Sequence, residues 1–135
     1  MADEKCLKIL KQGVEAWNNW REELVGNLDF PYIDLTAADL SGASFRAANL
    51  LGVDFTRALL QKADFTRCNL TGADFTEASL QGANFTGANL TLAQLGGADL
   101  RGADFYETVF GNVDLTESPA TILLHMTSIE SAGQF

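Results

Sequence analysis

The sequence predicts an all-β solenoid, a four-sided β-helix preceded by an α-helical cap. Three observations predict it. Phe or Leu recurs at every fifth position from Phe30 to Leu115 without a slip, a period that fits neither an α-helix nor an ordinary strand. The phenylalanines fall into columns when the chain is wound at twenty residues per turn, and not at fifteen. An apolar stripe at helical spacing stands ahead of the repeat.

The cap, residues 1–27, comes first. Leu7, Leu10, Val14, Trp17, Trp20 and Leu24 recur at helical spacing, with Asp3 placed as an N-cap. Gly13 divides the stretch into two helices, and Gly26-Asn27 reads as a stop. An open β-helix leaves core and backbone uncovered at its ends, so the stripe belongs on the first coil.

The repeat, residues 28–117, is built from a small-x-large step and a corner. A small residue, mostly Ala, stands two positions before each Phe or Leu, with Asp, Asn or Ser between them. Strand alternation puts the small and large side chains on one face and turns the middle one outward. Thr, Gly and Asn after the large residue are turn formers.

Column composition sets the number of sides. Four sides stack residues twenty apart, giving the column Phe45, Phe65, Phe85, Phe105 and the column Leu40, Leu60, Leu80, Leu100. Phe55 and Phe75 then face the first column across the core. Coils at ~4.8 Å allow the rings to stack with an offset.

Units such as Ala63-Asp64-Phe65-Thr66-Arg67 and Ala98-Asp99-Leu100-Arg101-Gly102 resemble those of the pentapeptide-repeat family. Leu59, Gln94 and Val109 depart from its pattern at the Asp/Asn position. The resemblance implies a right-handed four-sided β-helix, here of about four and a half coils and about 21 Å long. It also implies a bacterial source.

Residues 118–135 form a C-terminal cap or tail of the same single domain. Pro119 halts the repeat, and the apolar run Ala120–Met126 either caps the last coil or makes an end-to-end dimer contact. Some members similar in pattern pair in that way, so the chain is expected as a monomer or an end-to-end homodimer. His125, inside that run, reads as a packed or interface residue and not as a ligand.

Little of the chain offers catalytic chemistry. One His and two scattered Cys, Cys6 and Cys68, support no triad, zinc site or disulfide framework, and no phosphate-binding loop follows a strand. The sequons at Asn69, Asn84 and Asn89 are by-products of the repeat. No cofactor is expected. A net charge of −9 argues against a surface that seeks nucleic acid or anionic lipid. The acidic N-terminus lacks an apolar leader core, which points to the cytoplasm.

The candidate surface is electrostatic. Nine of the twelve acidic residues between Leu28 and Glu117 are Asp at the middle position, where short polar side chains accept hydrogen bonds from turn amides. Asp34, Asp54, Asp74 and Asp114, with Gln94 among them, share one side; Arg57 lies on that side, and Lys62 and Arg67 follow on neighbouring sides, a basic cluster that interrupts the acidic face. Singly exposed apolar residues are expected at Tyr32, Leu51, Leu59, Leu92 and Tyr106.

The leading expectation is a non-enzymatic scaffold that binds an unidentified protein through a flat side or an end. The alternative is an acidic mimic of DNA that inhibits or protects a DNA-binding enzyme such as DNA gyrase. Proteins similar in pattern act that way, although as longer rods.

Overall fold

The computed structural model describes residues 2–116. The C-terminal readings, including Pro119, Ala120–Met126 and His125, lie outside the described residues.

Two helices open the chain, α1 (Ala2–Lys11) and α2 (Val14–Glu23). Gly13 separates them at φ 110°, a conformation that side chains other than glycine rarely adopt. α1 already begins at Ala2, so Asp3 lies inside its first turn and does not cap it. α2 ends where Leu24 turns extended, its N–H donating to the Arg21 carbonyl at 3.3 Å.

Cys6, Leu10 and Trp17 are the buried contacts of the pair, with Leu7, Ile9, Val14, Trp20 and Leu24 partly buried. The Trp17 ring packs 6.0 Å from Phe30 and 5.7 Å from Phe45, in the first coil.

From Asp29 onward every parallel bridge joins residues twenty apart, from Asp29 with Asn49 to Gln94 with Asp114. Four bridges complete a coil, so the rod has four sides. Side one begins at Asp29, side two at Asp34, side three at Asp39 and side four at Ser44. Each side is a single bridged residue between corners, which is why the described residues, though paired in parallel throughout the rod, contain no extended strand.

Three hydrogen bonds tie each side to the next coil. On side four they are Phe45 N to Asp64 O (2.8 Å), Ala47 N to Thr66 O (2.8 Å) and Asp64 N to Ala43 O (2.9 Å). A fourth closes the corner, as in Ala48 N to Phe45 O at 2.9 Å. The residue before that donor has positive φ, as the third residue of a type II turn requires.

The core follows the predicted columns. Phe45, Phe65, Phe85 and Phe105 stack at centroid distances of 5.4, 5.2 and 5.3 Å with planes within 11°. Phe55 and Phe75 stack opposite at 5.1 Å and meet the first column edge to face, at 5.5 Å between Phe65 and Phe75. Each fully buried ring or Leu contributes about 1.5–3 kcal/mol. Tyr32, Leu59, Leu92 and Tyr106 are exposed, as are Val25 and Val109, whereas Leu51 is half-buried.

Candidate functional site

Side two carries the candidate stripe. Bridges place Asp34 beside Asp54, Asp54 beside Asp74, Asp74 beside Gln94 and Gln94 beside Asp114. Asp54 and Asp74, with neighbours above and below, are half-buried, while Asp34, Gln94 and Asp114 are exposed.

The carboxylates are tied back to their own corners. Asp34, Asp54, Asp74 and Asp114 each accept from the amide of the Thr two residues on, at 3.0, 2.9, 2.9 and 2.9 Å. Thr76 and Thr116 also donate their hydroxyls to Asp74 and Asp114. Hydrogen bonds from Thr36, hydroxyl and then amide, hold the Asp34 carboxyl below its ordinary pKa. Thr116 does the same for Asp114.

Side two is therefore a flat face of two ranks. Asp34, Asp54, Asp74 and Asp114 make one, and Thr36, Thr56, Thr76 and Thr116 the other. The threonine rank was readable as the recurrent Asp-Leu/Phe-Thr of the sequence, but it was not singled out.

The basic residues do not join this face. Arg57, Lys62 and Arg67 sit on three successive corners of one coil, at φ 58, 60 and 59°. The stems of Lys62 and Arg67 lie beside Gly82 and Gly87 of the next coil. Arg57 takes the corner that ends side two, and the other two are each a side further away. Arg101 pairs with Asp99 at 2.6 Å. It lies on side three and holds the Asp99 carboxyl below its usual range.

Side one carries an amide ladder. Asn69 Nδ2 donates to Asn49 Oδ1 at 3.2 Å, and Asn49 Nδ2 donates to Asp29 Oδ1 at 2.8 Å. A shallow depression of about 400 Å³ runs beside it, with Arg67 on its rim. A second, of about 350 Å³, lies where α2 meets side four, between Arg21 and Arg46. Among the described residues no three His, Cys, Asp or Glu side chains converge as metal ligands. No described helix is long and apolar enough to cross a membrane.

A parallel solenoid wound from five-residue units, with its polar side chains hydrogen-bonded along flat faces, defines a repeat protein. The chain belongs to the pentapeptide repeat family: the family described as "Pentapeptide repeats (8 copies)" matches residues 32–67, 54–91, 68–105 and 83–118.

Two solved structures are similar. One is HetL, a pentapeptide repeat protein involved in heterocyst differentiation regulation from the cyanobacterium Nostoc sp. strain PCC 7120. It is 36% identical with a TM-score of 0.64, over 67% of this chain and 41% of its own. This chain thus spans less than half of that protein's length. The other is a pentapeptide repeat protein from the Arabidopsis thaliana thylakoid lumen. It is 30% identical with a TM-score of 0.70, over 76% of this chain and 72% of its own. No curated protein matches the chain. Membership and these neighbours give the β-helix its right-handed sense.

Proposed function

We propose that the chain is a non-enzymatic protein-binding scaffold of the cytoplasm, and that side two is its binding face. In this reading residues 28–117 form a rod of about four and a half coils. The helical pair closes its N-terminal end.

One observation carries the proposal: the paired Asp and Thr ranks of side two are held in fixed positions by their own turns. Side chains already ordered lose little entropy when a partner docks. The part that the Nostoc relative takes in regulation suits a binding module.

The test is comparative capture with immobilised wild-type protein and a Thr56→Lys/Thr76→Lys variant. Both substitutions lie on the flat face and leave the core alone. A protein retained by the wild type and lost by the variant is the expected result. Equal retention by both would remove side two from the interface.

A second reading, the acidic mimic that inhibits or protects a DNA-binding enzyme such as DNA gyrase, is favoured by the bridged run Asp34, Asp54, Asp74. It requires binding that weakens steeply with salt and is competed by duplex DNA. A captured partner indifferent to both would exclude it.

A further inference from the structure

The N-terminal edge of the rod is a strand edge, and such edges invite pairing with other chains. Three of its four sides begin with a carboxylate, at Asp29, Asp34 and Asp39. Side four begins with the uncharged Ser44.

It is on side four that α2 sits. Inside the rod, each coil meets the one before it through three ladder positions. On the second coil of side four these are Asp64 N, Asp64 O and Thr66 O. At the edge the equivalent groups are Ser44 N, Ser44 O and Arg46 O, and side chains of α2 fill all three. Ser44 N donates to Asn18 Oδ1 at 2.8 Å. Ser44 O accepts from Trp17 Nε1 at 2.8 Å and from Arg21 Nε at 3.3 Å. Arg46 O accepts from Arg21 Nη2.

We propose that α2 is an edge guard: Trp17, Asn18 and Arg21 take the hydrogen bonds of a missing coil on the one side without a carboxylate, and so keep a second copy of this chain from continuing the solenoid there. The proposal rests on the reading of the helical pair as the closure of the N-terminal end. A second copy is the natural intruder, because its last coil carries the same ladder groups at the same spacing. A head-to-tail contact of that kind does not close on itself, so association would grow without a fixed stop.

The experiment uses the full chain and light scattering over a concentration series. An Asn18→Ala/Arg21→Ala variant, which keeps the buried Trp17, is expected to exceed the wild-type mass and to climb with concentration. Adding Ser44→Asp should return the mass to the wild-type value, because side four then carries a charge like the other three. A double variant with wild-type circular dichroism and wild-type mass at every concentration overturns the proposal, as does association that Ser44→Asp leaves untouched.

Should the double variant unfold, Asp29→Ser/Asp34→Ser/Asp39→Ser strips the other three sides with α2 in place. It is expected to associate, and an unchanged mass would count equally against the guard. Tryptophan emission in a Trp20→Phe background separates the two readings. Solvent-exposed Trp17 emission in otherwise wild-type protein sinks the closure itself, whereas buried emission with unchanged masses sinks only the guard.

Discussion

Cys68 and Thr108 occupy a column in which Ala48 and Ala88 alternate with them, and each turns its polar atom onto a phenylalanine carbonyl one coil earlier. Cys68 Sγ donates to Phe45 O at 2.8 Å, and Thr108 Oγ1 donates to Phe85 O at 2.7 Å. A buried polar atom without a partner would be costly, so the bond is what lets either residue replace Ala. Burial pushes the Cys68 thiol up to about 12, from an ordinary value of 9.0. The folded chain therefore keeps this proton after the unfolded chain has lost it. Stability from this group is complete below about pH 9 and falls as pH rises towards about 12, by up to about 1.4 kcal/mol per pH unit. Cys68→Ala, which matches Ala48 and Ala88 in the column, should remove that alkaline loss in urea titrations. Parallel pH profiles for variant and wild type would exclude it. The sign is opposite for Asp34 and Asp114, whose depressed carboxyl pKa values add stability above the ordinary carboxylate range that is lost on acidification.

Corners, as elements, ask more of the chain than sides do. Among the described residues ten other than glycine hold positive φ there, including Ala37, Ala47, Arg57 and Leu92. Such a conformation costs about 1–2 kcal/mol per residue, and the corner bond together with the inter-coil bond at the same residue holds it in place. Gly52 sits at φ 65° with the Tyr32 ring lying where a Cβ would be, 2.5 Å away. Gly52→Ala should cost about 1 kcal/mol in chemical denaturation, with the exposed Tyr32 swinging aside. A neutral result would mean that the corner relaxes freely.

Sides and columns were legible because a period of five leaves one winding that stacks Phe on Phe. Corners were placed by their turn formers, but their shared positive φ was not legible, because Gly52 and Gly72 share a column with Tyr32, Leu92 and Asn112, so the residue types do not announce the conformation. The five-residue spacing of Arg57, Lys62 and Arg67 already places them on successive sides, and each takes a corner with positive φ. The apolar stripe was expected on the first coil, but the polar contacts of α2 were hidden for another reason. The bond that Trp17 donates to Ser44 and the one that Asn18 accepts from it are specified by side-chain reach across the chain, and no local pattern encodes that.

For the whole molecule, stability should follow register more than length. Coils contact only their neighbours, so a solenoid's stability is close to a sum over coils and their interfaces. Deleting residues 69–88 removes one complete winding and leaves Phe105 to stack directly on Phe65. Deleting only 69–73 slides Phe75 over Leu50 and Phe85 over Leu60, misaligning both aromatic columns. The larger deletion should keep a cooperative thermal transition, and the smaller one should melt lower or without cooperativity. The reverse order would show that column identity is unimportant.

The inter-coil bonds also have a direction. On each side two amides point toward the C-terminal end and one points back, as Phe45 N, Ala47 N and Asp64 N do on side four. The peptide dipoles therefore do not cancel. They leave an axial moment whose electropositive pole is at the C-terminus, opposite in sense to the macrodipole of an α-helix. Asp99, Asp104 and Asp114 stand near that pole, and the backbone field favours their charge. At the other pole, Asp29, Asp34 and Asp39 add their charge to an end that the backbone has already made negative.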